Sequence, residues 1–365
     1  MVIYILGAFL LSLILGSVSI PIILDFCKRK RLYDIPNERK VHKNAIPRLG
    51  GVVFFPNMLI ALAMVMLMMN PLLGNHTHYL NLWTFNFLIS LIIIYLTGLA
   101  DDLIGLNAKI KFCAQIIAAT FMPLSGLCIN NLYGLFGIHE LSFLPSALLT
   151  VFTMVFIMNA INMIDGIDGL AASLSFVALC GFLFCFYKEG MDIYCTLIAG
   201  VMGGLLAFLY FNMFGEHDKN RKIFMGDSGS LTLGFILSFL SVKFSSLTLH
   251  GLPFYLNGLI VPVTLLLVPI FDTIRVIIVR TRHRLHLFKA DKNHIHHKLM
   301  RAGLTQHQTL CVIISVSIAY VVINFLLIRD LTITGVLLID IVCFMLLHGA
   351  INLKIKKRGE VVTIV

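Results

Sequence analysis

The chain has 365 residues, of which 59% are hydrophobic and 13% charged, and its mean hydropathy is +0.94. Soluble domains carry about 25% charged residues, so a soluble globular fold is excluded and a polytopic membrane protein is expected. The formal charge of +10 does not argue for a nucleic-acid partner, because the basic residues sit in short loops between apolar runs.

Eleven apolar segments approach the roughly 20 residues that cross a bilayer. They cover 2–24, 49–69, 84–100, 109–127, 141–161, 168–187, 192–213, 229–247, 256–279, 308–328 and 331–352. The first has no basic flank or small-residue cleavage site before it, so it reads as a retained helix. With the N-terminus outside, all 28 lysines and arginines except Lys188, Lys243 and Arg329 fall on the inner side. The positive-inside rule then predicts an all-α, polytopic transmembrane bundle of about eleven helices. The N-terminus is periplasmic, the C-terminus is cytoplasmic, and the chain is one domain. The eight cysteines are scattered without a C-x-x-C pair and read as packing residues.

The stretches with chemical potential share the inner side. The first loop, Asp34 to Gly51, is basic and broken by Pro36, Pro47 and two glycines, and its His42, Lys43 and Arg48 suit a lipid phosphate at headgroup level. Asp101-Asp102 ends the third segment, with Lys109 and Lys111 close behind. Adjacent carboxylates repel, so both stay ionised only beside a cation or lysines. In Asn159 to Leu170, Asn159, Asn162, Asp165 and Asp168 recur every third residue, on one side of a helix. They are oxygen donors of the kind that suits Mg²⁺, and polar residues beside a bilayer are costly enough to suggest function. Phe224 to Ser230 (FMGDSGS) precedes a helix start, where backbone amides favour a phosphate. Asp227 there suits a Mg²⁺ ligand. His294-Ile-His-His297 lies in a strongly basic loop that includes Arg280, better matched to an anionic nucleotide than to zinc. Each element alone also has an ordinary explanation as a turn, a helix cap or a headgroup contact.

Together, in this order, the motifs resemble the polyprenyl-phosphate N-acetylhexosamine-1-phosphate transferases over nearly the whole chain. The paired aspartates, the N-x-x-N-x-x-D-G-x-D-G-L pattern at 159–170 and the F-M-G-D-x-G-S pattern at 224–230 carry the likeness. His-Ile-His-His followed by Lys298, in place of three histidines and an acid, resembles the branch that uses UDP-N-acetylglucosamine. The resemblance implies a Mg²⁺-dependent enzyme, with Mn²⁺ as a substitute. It implies UDP-N-acetylglucosamine, undecaprenyl phosphate and the bilayer as partners, no nucleic acid, and leaves a homodimer open. It implies Asp227 and Asn162 at the metal and Asp101, Asp102, Asp165 and Asp168 in catalysis. Asn159, His294, His296, His297, Arg280, His42 and Lys109 are then expected to hold substrate. A divalent-cation transporter would instead want polar residues near mid-membrane, where Asp340 and Lys243 are the candidates. A CDP-alcohol phosphotransferase would need D-G-x-x-A-R, where this chain has Leu170-Ala-Ala-Ser.

Overall fold

A computed structural model describes residues 1–34, 45–69, 82–216, 221–246, 258–285 and 292–360. His42 and Lys43 lie outside these residues. The described chain is almost entirely helical: α1 Val2–Lys30, α2 Phe54–Met69, α3 Leu82–Ile104, α4 Ala108–Leu124, α5 Phe143–Ile164, α6 Leu170–Lys188, α7 Asp192–Phe214, α8 Gly226–Ser245, α9 Ile260–Leu265, α10 Leu267–Arg282, α11 Ile295–Arg301, α12 Gln306–Leu327 and α13 Ile333–Lys357. Two small antiparallel ladders complete it, β1 Tyr33–Asp34 with β2 Ile46–Pro47 and β3 Asn131–Leu135 with β4 Ile138–Glu140.

All eleven predicted segments are helical. Among the described residues, nine helical stretches are long and apolar enough to cross a membrane. The other two differ for physical reasons. α4 has only 17 residues. The segment at 256–279 breaks at Leu266 into α9 and α10, because Pro269 has no N–H for the Leu265 carbonyl and its ring clashes there.

The outer helices are amphipathic in the membrane sense. On α1, Leu6, Leu10, Ile14, Val18 and Ile22 are exposed along one stripe, and Ala8, Ser12, Gly16, Ile20 and Leu24 are buried along the other. The small residues of the buried stripe let α1 pack closely on α7, where a methyl group on Gly16 would overlap Ala207.

The core is α8, in which every residue from Ser228 to Ser245 is buried. Four of its hydroxyls, those of Ser230, Thr232, Ser238 and Ser241, bond back into their own helix, as in Thr232 Oγ1 to the Ser228 carbonyl at 2.6 Å and Ser241 Oγ to the Leu237 carbonyl at 2.7 Å. These side chains are thereby satisfied where no water is at hand. α3 and α5 pack along α8, which sets the ends of three motif-bearing helices side by side. The two mid-membrane candidates also acquire partners. Asp340 accepts a 2.8 Å bond from Asn324, whose amide also donates to Thr264 at 2.9 Å. The Lys243 ammonium lies 5.2 Å from the centroid of the Tyr194 ring.

Candidate active site

The site forms where α8 begins. Gly226 has φ +73°, and a methyl group there would overlap both the Arg48 carbonyl and the Asp102 carboxylate, so only glycine lets the chain turn into the helix at this point. Asp102, buried at 3% exposure, accepts the backbone N–H groups of Asp227 and Ser228 at 2.9 Å each. It anchors the positive end of α8. The first loop closes over the same turn. Phe224 N–H donates to the Pro47 carbonyl at 2.7 Å, and Gly50 and Gly51 donate to the Phe224 and Met225 carbonyls at 2.8 Å each. Arg48 Nε donates to the Asp102 backbone carbonyl at 2.8 Å. Three stretches far apart in sequence thus become one rigid corner.

Asp227 projects from that corner into a cluster of charge. Lys111 Nζ is 2.6 Å from its Oδ2 and 3.3 Å from Asp101. Asn162 Nδ2 donates to Asp227 Oδ1 at 3.1 Å and to Ser230 Oγ at 2.9 Å. One carboxylate oxygen from each of Asp101, Asp102 and Asp227 lies within 4.8 Å of the others. Three converging carboxylates with, among the described residues, the Lys111 ammonium between them form an anion-rich, all-oxygen set, which fits a hard divalent cation. Asn162 reaches this cluster from α5 and presents its amide nitrogen to Asp227.

The expectation that the four residues from Asn159 to Asp168 share one helical face is corrected. α5 ends at Ile164 and α6 starts at Leu170, with Gly169 at φ +74°. Only Asn159 and Asn162 are helical. Asn159 binds the Val155 carbonyl and Gln115 of α4, so it ties two helices together. Asp165 and Asp168 lie in the connecting loop, which is fixed by Asn212. That side chain accepts the Gly169 N–H at 2.6 Å and donates to the Ile223 carbonyl at 2.8 Å. Asp168 pairs with Lys222 at 2.7 Å. Asp165 is half-buried, and burial together with the carboxylates of Asp227, Asp168 and Asp102 lifts its pKa to about 7.

The histidine motif meets this loop directly. A methyl group on Gly166 would overlap the His296 ring, so the missing side chain is what lets the two motifs touch. His296 is 1% exposed. Burial, with His297 and His294 nearby, holds its pKa well below the usual histidine range. His294 is oriented by Asp272, which accepts its Nδ1 at 2.7 Å, the Ile295 N–H at 2.9 Å and Arg275 at 2.9 Å. His297 lies beside His296, with ring centroids 4.2 Å apart, and Arg280 is buried on α10. Lys109 is exposed at the start of α4, and Lys111, two residues on, occupies the place among the carboxylates.

Four contributors were not singled out from sequence: Lys111 as the central cation, Lys222, Asn212 and Asp272. Asp272 carried a signal, being an acid inside an apolar run with Arg275 three residues on.

The fold and site together define a multi-pass membrane protein whose polar chemistry is gathered at one end of the bundle. The model of glycosyl transferase family 4 matches residues 83–245, which run from α3 through α8. Relatives extend the match. A Bacillus subtilis (strain 168) protein named "Probable undecaprenyl-phosphate N-acetylglucosaminyl 1-phosphate transferase" is 33% identical over 310 residues, covering 84% of this chain and 80% of its own. A Mycobacterium tuberculosis "Decaprenyl-phosphate N-acetylglucosaminephosphotransferase" is 32% identical over 76% of this chain and 71% of its own. A Salmonella typhi "Undecaprenyl-phosphate alpha-N-acetylglucosaminyl 1-phosphate transferase" is 30% identical over 77% and 72%. The chain belongs to this family, the polyprenyl-phosphate N-acetylhexosamine-1-phosphate transferases.

Proposed function

We propose that the protein transfers N-acetylglucosamine 1-phosphate from UDP-N-acetylglucosamine to undecaprenyl phosphate, releasing UMP. The reaction is the first membrane step of a cell-envelope polysaccharide such as O-antigen or enterobacterial common antigen. The site faces the cytoplasm from the inner membrane. The observation that carries this reading is the convergence of Asp101, Asp102 and Asp227, with Lys111 between Asp101 and Asp227, at the end of a membrane bundle. A lipid phosphate can reach that position while its tail stays in the bilayer.

The acceptor is a phosphate monoester with a second pKa of about 6, so it is largely a dianion at neutral pH and needs little deprotonation. An oxygen of this phosphate attacks the donor's β-phosphorus. The bond from that phosphorus to the bridging oxygen breaks, and UMP departs with the electron pair. The difficulty is bringing two polyanions together. Mg²⁺, held by Asp227 with Asp101 and Asn162 beside it, would supply charge neutralisation at the diphosphate. Lys111 brings a second cation to the same place. Asp102 keeps the α8 amides in position and Asp165 and Asp168 shape the donor pocket. His294, held by Asp272, would meet the donor phosphates together with His297 and Arg280. Arg48 serves the lipid phosphate, with His42 of the same stretch of sequence.

UMP release from a panel of UDP-sugars, with undecaprenyl phosphate in detergent, tests this reading. UDP-N-acetylglucosamine is expected to react and UDP-N-acetylmuramoyl-pentapeptide is not. Robust use of the pentapeptide donor would reverse the choice of substrate.

A further inference from the structure

Beneath the histidine motif lies a set of buried cationic groups that the transfer reaction does not use. Lys298 on α11 is fully buried, and its ammonium has no hydrogen-bond partner among the described residues. Its charged neighbours are Arg275, Arg301 and Asp272. Arg275 on α10 is 7% exposed, and its Nη2 serves Asp272 and the Asn293 carbonyl. Its Nε and Nη1 have no partner among the described residues. His348 reaches in from α13 at 4% exposure with both ring nitrogens unpartnered there, and its charged neighbours are again Arg275, Lys298 and Asp272.

Lysine and arginine only donate, so this buried cluster is rich in donors and poor in acceptors. Asn352 Oδ1, one turn along α13 and also unpartnered, accounts for at most a small share of them. Buried polar groups in native proteins nearly always have a partner, and those that lack one point to an ordered water or ion. Charge decides between these. Among the described residues at this cluster, Arg275 and Lys298 outweigh Asp272 by one positive charge. A buried, unbalanced cation is expensive. Water accepts hydrogen bonds but does not neutralise charge, whereas a small monovalent anion does both.

We propose that Arg275, Lys298 and His348 bind one small monovalent anion of the halide class, which locks α13 against α10 and α11. The anion braces the helix that carries the histidines from the side opposite Gly166. It also makes the last helix, outside the stretch matched by the family model, part of the support for the donor site.

The test is equilibrium dialysis of the purified full-length protein in detergent, with chloride exchanged for gluconate and radiolabelled chloride as the probe. The wild type is expected to bind chloride at a single saturable site. Lys298→Met weakens binding by at least about tenfold, and Lys292→Met, on the exposed approach, leaves it unchanged. Absence of saturable binding in the wild type, or wild-type affinity in Lys298→Met, overturns the proposal. Displacement of chloride by a lower concentration of inorganic phosphate also overturns the monovalent assignment. If Lys298→Met fails to give monodisperse protein, crystals of the wild type grown in bromide decide by anomalous scattering. A peak between Lys298 and His348 supports the site and its absence refutes it. Neither readout depends on turnover, so failure here is distinct from failure of the assigned reaction.

Discussion

Asp227→Asn separates the chemistry of the site from its architecture. The substitution is nearly isosteric and leaves the residue-227 backbone N–H on Asp102, so the corner that starts α8 stays intact. The Asn162 contact to Oδ1 at 3.1 Å also stays available. What disappears is the negative charge facing Lys111 at 2.6 Å. A hydrogen bond to a charged group contributes about 1.5–3 kcal/mol. Lys111 and Asp227 keep 23% and 24% of their side-chain surface in solvent, so screening places the stability loss at the low end of that range. The catalytic loss is larger. Removing one preorganised electrostatic group from a site that stabilises developing charge costs about 10²–10³ in rate, or about 2.7–4 kcal/mol, and loss of a metal ligand adds to it. UMP release and thermal melting in detergent report the two effects on one sample. Turnover is expected to fall at least a hundredfold with a small change in melting. Lys111→Met alone is expected to impair turnover too, and the double variant to be less than additive because the two residues share one interaction. A monodisperse Asp227→Asn protein within about threefold of the wild-type rate, a barrier change under about 1 kcal/mol, would refute the reasoning.

Three further outcomes follow from particular contacts. The protein is expected to be inactive in EDTA and to recover with Mg²⁺ or Mn²⁺, and metal-independent UMP release would remove the carboxylate cluster from the chemistry. Gly166→Ala drives a methyl group into the His296 ring. It is expected to raise the KM for the UDP-sugar while leaving the KM for the lipid phosphate near wild type, and an unchanged donor KM would show that the two motifs are not coupled. Asp165 is raised from 3.8 to about 7, so between those values the folded state holds a proton that the unfolded state has released. Its contribution therefore makes metal-free stability fall as pH rises from about 4 to 7 and level off above. Asp165→Asn is expected to flatten that decline in melting temperature, and an unaltered pH profile would contradict the raised pKa.

The helices were legible because membrane segments must be apolar over a length that physics fixes, and all eleven predicted stretches are helical. The break at Leu266 was written in Pro269, within an otherwise continuous apolar run. The spacing of Asn159, Asn162, Asp165 and Asp168 suggested one helical face, but α5 ends at Ile164, between the second and third, and α6 starts only after Gly169. The motifs were visible as sets of residues, yet the partner of each depends on tertiary packing. Nothing local distinguishes Lys111 from Lys109, and only the crossing of α3, α4 and α8 selects Lys111. Asp102 looked like a catalytic acid, and the fold gives both its oxygens to the α8 amides. The role of Gly166 as the seat of His296 joins positions 130 residues apart, which no periodicity encodes.

The claim that a phosphosugar, and not a sugar alone, moves to the lipid is tested most directly by the fate of the donor's β-phosphate. With UDP-N-acetylglucosamine labelled at that phosphorus and undecaprenyl phosphate as acceptor, the label is expected in the lipid product, with unlabelled UMP released in equal amount. Label remaining in UDP, or label appearing on the protein in the absence of acceptor, would contradict direct attack by the lipid phosphate at this site.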